Sequence, residues 1–208
     1  MSASTLNAGS PLMIELFAGS ARMAQTFREA GFETFTVDIE ELSRDPERQI
    51  DLIADVLSLK ADDLPPNPYV VWASPPCREF SRAYNAPQAV AERQGRSYTP
   101  MGGLSLIQRA ILMIEQLQPK YWVIENVAGA RKWLKPILGE PRQVIGPYCL
   151  WGNFPHICID PSTQFQPKNL KAGGHDRHSV QKRSVIPIEI SRGLRRAMLE
   201  QTTLERWI

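Results

Sequence analysis

The sequence predicts an α/β fold with a mostly parallel sheet and helices on both faces. Three observations predict it. Apolar runs of strand length alternate with stretches of helical spacing. The first such run ends in a glycine turn that leads directly into a helix-like segment. The residues richest in chemistry, Gly19, Asp38, Asp55, Cys77 and Glu125, fall at or just past expected strand ends. In open parallel sheets that is where ligands gather.

The elements follow in order. Residues 1–11, "MSASTLNAGSP", are small and polar and read as a frayed, disordered tail. Residues 12–208 read as a single domain. "LMIELFAGS" is a buried strand ending in a glycine-containing turn. "ARMAQTFREAG" has helical spacing, with Met23, Phe27 and Ala30 on one face and Gly31 as its C-cap. "FETFTVDIE" is the second strand, "IDLIADVLSL" a short strand and turn, and "YVVWASPP" the fourth strand. "GLSLIQRAILMIEQLQP" is an amphipathic helix stopped near Pro119, and "YWVIENV" supplies the fifth strand, with Glu125 and Asn126 just after its apolar part. Beyond Val127 the chain is rich in Pro, Gly and basic residues, so loops, short strands and little helix are expected over 130–183. "IPIEISRGLRRAMLEQTTLERW" returns to helical periodicity, with Pro187 suited to a first turn.

Composition narrows the function. At 208 residues and 43% hydrophobic, the chain can bury one ordinary core. No apolar run is long enough to span a membrane and no signal-peptide pattern is present, so a soluble, cytoplasmic protein is expected. Three widely spaced cysteines fit a reducing compartment rather than a disulfide framework. Residues 1–128 carry 11 basic and 16 acidic side chains, and residues 129–208 carry 13 basic and 6 acidic. The basic C-terminal part can face an anionic polymer, or it is a solvated surface with a chance bias.

The strand-end residues suggest a nucleoside pocket. The turn at Gly19 lets a ligand approach the backbone beside a helix N-terminus, without the full Gly-x-Gly-x-x-Gly spacing of a dinucleotide site. Asp38 can bind ribose hydroxyls, and Asp55 can accept from an adenine amino group; an acid at a strand end is also often just a helix cap. In "SPPCREFS" two prolines stiffen the loop that carries Cys77, a nucleophile if its thiolate is favoured and otherwise a small buried hydrophobe. Cys149 and Cys158, inside "YCLW" and "ICI", are expected to be buried. Glu125 follows apolar residues, where desolvation would let its carboxyl donate a proton near neutrality. The gaps between Cys149, Cys158, His175 and His178 are irregular, so no metal site is expected.

Taken together, "ELFAGSARMAQTF", "VDIE", "ADV", "SPPCREFS" and "WVIENVAG" stand in the order found in DNA (cytosine-5) methyltransferases. The chain resembles that family over about residues 12–129, with a fainter echo at "RSVIPIEISRGL". Its small size and "LWGNFP" are similar to compact bacteriophage and prophage forms. The resemblance implies a class I S-adenosylmethionine-dependent methyltransferase sheet and a place in a bacterial or phage-infected cell. Phe17, Gly19 and Ser20 would line the methionine side of S-adenosylmethionine, Asp38 would hold the ribose and Ile39 would lie against the adenine. Asp55 and Val56 would meet the adenine edge, and Pro76 would close the site. Cys77 would attack carbon 6 of cytosine in DNA, Glu125 would bind or protonate nitrogen 3, and Asn126 would shape the loop. Ser81, Arg78 and Arg82 are candidate substrate contacts. Residues 82–103 fit a mobile loop whose Arg82, Arg93 and Arg96 could meet phosphates. A monomer is assumed. The competing readings are the same chemistry on RNA or a free nucleotide, and a catalytically silent nucleic-acid-binding descendant.

Three departures from the family pattern stand out. Arg78 occupies the position where Gln usually follows the cysteine. The Gln-x-Arg-x-Arg motif, whose arginine helps hold the cytosine, has no clear counterpart; "QKRS" at Gln181 has only part of it. About 55 residues separate Gly129 from Ser184, short for a separate target-recognition domain.

Overall fold

The computed structural model describes residues 9–43, 45–160, 162–163, 165 and 186–205. Most of the expected tail therefore lies outside the described residues, as do His175, His178 and the "QKRS" stretch.

Seven strands form one sheet: β1 (Leu12–Leu16), β2 (Glu33–Asp38), β3 (Leu52–Ile53), β4 (Val70–Ala73), β5 (Tyr121–Val127), β6 (Gln143–Ile145) and β7 (Tyr148–Asn153). Their spatial order is β3-β2-β1-β4-β5-β7-β6. The first five strands are parallel, and β7 runs antiparallel between β5 and β6. This is the class I methyltransferase sheet that the resemblance implied. The order reverses between β1 and β4, and such a switch opens a crevice at the C-terminal ends of the strands.

The two central strands explain themselves by burial. Every residue of β1 and of β4 is buried, as expected of strands covered on both faces. Their side chains alternate between two cores. Met13, Val70, Trp72 and Val123 pack with Met23 and Phe27 of α1 (Arg22–Arg28) and with Ile190, Leu194 and Met198 of the last helix. Ile14, Leu16, Val71, Ala73 and Ile124 pack with Ala110, Met113, Ile114 and Leu117 of α3 (Met101–Leu117). Helix α1 stops where Gly31 takes φ +85° and Phe32 N donates back to the Phe27 carbonyl at 3.2 Å. The last helix, α5 (Ile188–Glu205), starts directly after Pro187, whose carbonyl accepts from Ile190 N.

Several expectations need correction. Residues 82–103 are not one loop: α2 (Pro87–Arg93) lies inside them, and α3 begins two residues earlier than its spacing suggested. Proline at the first turn starts α2, and burial of Gln88, Ala89 and Ala91 holds it down. Beyond Val127 a further helix, α4 (Arg131–Leu138), forms despite its basic residues and Pro136. Leu134 and Trp133 anchor it in a third core with Phe80, Cys149 and Trp151. The helices α2 and α4 also meet directly: Trp133 Nε1 donates to Gln88 Oε1 at 3.1 Å, and Lys132 lies 3.4 Å from the Glu92 carboxylate. Cys149 is buried as expected, but Cys158 is exposed. Its extended segment alternates, and Ile157 takes the inward position instead.

Candidate functional site

The site begins at the turn that follows β1. Phe17, Gly19 and Ala21 all have left-handed backbone, with φ of 59°, 56° and 50°. Two of the three are not glycine, a strain of about 1–3 kcal/mol each that clusters at functional turns. Phe17 packs half-buried against the α3-side core, and Ser20 is half-buried beside it. A Cβ added to Gly19 would meet nothing within 4 Å, so the turn borders open space.

Asp38 ends β2 and locks this turn. Its Oδ2 accepts from Gly19 N at 2.8 Å and its Oδ1 from Ile39 N at 2.7 Å. An ionised carboxylate has about four acceptor positions, so capacity remains for hydroxyl donors. Ile39 is 66% exposed, and Ile53 and Leu57 are also exposed beside Asp38 and Asp55. Exposed apolar side chains flanking two acids suit a flat, polar-edged ring. The Asp55 carboxylate caps its own turn by accepting from Leu57 N at 2.9 Å. The Val56 side chain is buried in the core, and the Leu57 side chain is exposed. These residues fit an adenosine-bearing ligand.

Glu15, which the sequence did not single out, lies in β1 itself, two residues before Phe17. It is 5% exposed and accepts from Ala24 N of α1 at 2.8 Å. Burial pushes its carboxyl up to about 8; the Ala24 hydrogen bond opposes this and the Asp38 charge adds to it.

The neighbouring strands carry the second half of the site. After β4, Ser74 N donates to the Leu16 carbonyl, keeping the loop beside the first turn. Pro75 is buried, Pro76 exposed and Cys77 half-buried. Phe80 N donates to the Cys77 carbonyl, which closes a tight turn over Cys77–Phe80. Three contacts pin this turn. The Phe80 ring is fully buried against Gly103, where a Cβ would come within 2.7 Å of it. The Phe80 carbonyl sits so close to Gly129 that a Cβ there would approach to 1.9 Å. Glu79 accepts from Gly103 N at 2.8 Å at the start of α3. Arg78 and Arg82 are exposed, and Ser81 accepts from Ala83 N. Arg93 stacks on the exposed Tyr84 ring at 3.9 Å, and Arg96 bonds to Gln94.

Glu125 and Asn126 lie inside β5, after its apolar part. The parallel pairing with β4 ends at Ala73 and Ile124, but antiparallel pairing with β7 carries β5 on to Val127. Asn126 is fully buried, and its Nδ2 donates to the Pro75 carbonyl at 3.1 Å. Glu125 is 7% exposed. One hydrogen bond thus ties the Cys77 loop to the strand that carries Glu125. Tyr148 completes the cluster. Burial pushes its phenol up to about 12, with the Glu125 and Cys77 negative charges adding to the shift. Burial likewise raises the Cys149 thiol. The sequence offered one signal for Tyr148: it opens the apolar "YCLW" run.

A thiol, a largely buried carboxyl and a buried phenol therefore lie at the C-terminal edge of β4 and β5, near enough that charge on Glu125 and on Cys77 acts on the Tyr148 phenol. Such a set can add to an electron-poor ring and serve its ring nitrogen with a proton. Among the described residues, no cluster of three or more His, Cys, Asp or Glu is placed to hold a metal ion, and no helix is long and apolar enough to cross a membrane.

Comparison with known proteins bears on the same residues. The family model described as C-5 cytosine-specific DNA methylase matches residues 12–135. A curated relative, "Probable DNA (cytosine-5)-methyltransferase" of Frog virus 3 (isolate Goorha), is 28% identical over 148 residues. That match covers 68% of this chain and 64% of the viral protein, so the chain spans under two thirds of its relative. Among solved structures, a putative DNA modification methyltransferase encoded within an E. coli prophage is similar at 19% identity and a TM-score of 0.45, over 69% of this chain and 47% of that one. A Spodoptera frugiperda DNMT2 mutant is similar at 20% identity and a TM-score of 0.38, over 59% and 37%.

Proposed function

The chain belongs to the C-5 cytosine-specific DNA methylase family, and we propose that it methylates carbon 5 of cytosine in DNA through a covalent adduct with Cys77. S-adenosylmethionine is the cofactor, and it supplies an electrophilic methyl group when bound. Asp38 and the Phe17, Gly19 and Ser20 turn hold its ribose and methionine ends. Ile39, Leu57 and Asp55 receive its adenine.

The chain's own residues do the rest. Carbon 5 of cytosine is a poor nucleophile until a group adds at carbon 6. The Cys77 thiolate forms that bond, and electron density moves through the ring toward nitrogen 3. Glu125 gives or shares a proton at nitrogen 3, so no full negative charge builds up there. Carbon 5 is then nucleophilic. After it gains the methyl group its proton passes to solvent, the electron pair of that C–H bond forms the carbon 5–carbon 6 double bond and expels Cys77 as thiolate, and the nitrogen 3 proton returns to Glu125. A duplex hides carbon 6 and nitrogen 3, so the target base must be unstacked or single-stranded. Asn126 acts on the loop: its bond to the Pro75 carbonyl fixes the approach of Cys77.

The observation that carries this reading is the Asn126–Pro75 hydrogen bond, which joins the loop of the thiol to the strand of the acid. The test is a covalent trap. DNA containing 5-fluorocytosine, incubated with the protein and S-adenosylmethionine, is expected to yield an adduct at Cys77 that Cys77→Ser abolishes. Absence of an adduct on every DNA tried, with cofactor binding demonstrated, would overturn the proposal. Glu125→Gln is expected to slow turnover by about 10²–10⁴-fold while cofactor binding persists.

A further inference from the structure

We propose that Tyr148 is a positioning residue for the acid: its hydroxyl donates a hydrogen bond to the Glu125 carboxyl group and so directs that group's own proton toward the pyrimidine. The proposal rests on the role given to Glu125 above and adds a residue that the sequence motifs do not contain.

Strand register supplies the geometry. Tyr148 opens β7 and lies opposite Val127 of β5, while Leu150 lies opposite Glu125. Residues two apart on paired strands share a face, so Tyr148 and Glu125 are diagonal neighbours within reach of a tyrosine side chain. Tyr148 is 5% exposed, and a buried phenol takes a hydrogen-bond partner. Its ring edge packs against Phe165 at a centroid distance of 6.4 Å, which limits its rotation. The Pro75–Cys77 loop is tied to the same end of β5 by Asn126. Electrostatics agrees with this placement, because negative charge on Glu125 or on Cys77 opposes ionisation of Tyr148.

Chemistry gives the arrangement a purpose. A carboxylic acid can carry its proton on either oxygen, and only one of them faces the substrate. A donor fixed at the inner oxygen places the proton on the outer one. That donor should be neutral, because a cation there would favour the ionised carboxylate and remove the acid's proton. Tyr148 stays protonated throughout the working pH range, so it always has a hydrogen to offer.

Tyr148→Phe keeps the ring and removes the hydroxyl. On cytosine-containing DNA, kcat is expected to fall by roughly 10–100-fold with KM and cofactor affinity changed less than about twofold, the mark of an interaction made in the transition state. A second readout does not depend on turnover. In protein labelled with 13C at tyrosine Cζ, Tyr148→Phe assigns the Tyr148 signal. Glu125→Gln is expected to shift that signal, and the remote Glu115→Gln to leave it in place. An unchanged kcat in Tyr148→Phe, or a Tyr148 signal indifferent to Glu125→Gln, overturns the proposal. If the wild-type protein methylates no DNA while the signal still follows Glu125, the substrate reading has failed and the Tyr148–Glu125 pairing stands.

Discussion

Glu15 places a carboxyl inside a strand that is buried along its whole length. Its ordinary value of 4.5 is pushed up to about 8, chiefly by burial. Between those two values the folded chain keeps a proton that the unfolded chain has released. Stability from this group is therefore complete below about pH 4.5 and declines as pH rises toward 8, by a few kcal/mol at most. Glu15→Gln keeps an acceptor for Ala24 N and removes the titration. Its thermal midpoint should exceed that of the wild type at pH 8 and match it near pH 4.5. An equal change at both pH values would refute the assignment. Nothing in "LMIEL" separates Glu15 from a solvent-facing strand residue, because burial depends on the helices that later cover it. Cys77 and Glu125 stood out as candidates because their neighbours form compact motifs. Tyr148 did not, because its position depends on pairing with a strand over 20 residues away in sequence.

At the scale of elements, the Cys77 turn owes its position to close packing. Gly129 lies in the short 3₁₀ turn after β5, and a Cβ there would come within 1.9 Å of the Phe80 carbonyl. Gly129→Ala must therefore move the turn. A displacement near 1 Å can cost about 10²-fold in rate. The expected outcome is a loss of that order in kcat with cofactor affinity retained, since the turn proposed to hold the cofactor follows β1. Unchanged kcat would show that the turn tolerates movement. The five parallel strands, α1, α3 and α5 were legible from apolar runs and helical spacing. Helices α2 and α4 were not, because each is short; Trp133 of α4 bonds to Gln88 of α2, and α4 packs on Phe80, Cys149 and Trp151, which are distant from it in sequence. Strand β5 has the bounds read from "YWVIENV", and its polar end, which β4 leaves unpaired, is held by β7.

At the scale of the whole molecule, the C-terminal helix closes the core that the N-terminal half opens. Leu194 of α5 is fully buried in the cluster that holds Met23 and Phe27 of α1, and Arg195 reaches the Thr26 carbonyl. Leu194→Ala should lower unfolding free energy by about 2–5 kcal/mol, seen in urea as a lower midpoint with an unchanged slope. A midpoint that does not move would mean that α5 is not part of the cooperative fold. The α/β architecture was legible because alternation is a property of the entire chain, whereas the antiparallel end of the sheet depends on long-range pairing. The Asn126–Pro75 bond adds a consequence for mutational drift. Its acceptor is a main-chain carbonyl, which every amino acid at position 75 would supply, whereas its donor is one side-chain amide. For this bond alone, selection to keep Cys77 and Glu125 in register therefore weighs on Asn126 and not on the side chain at position 75.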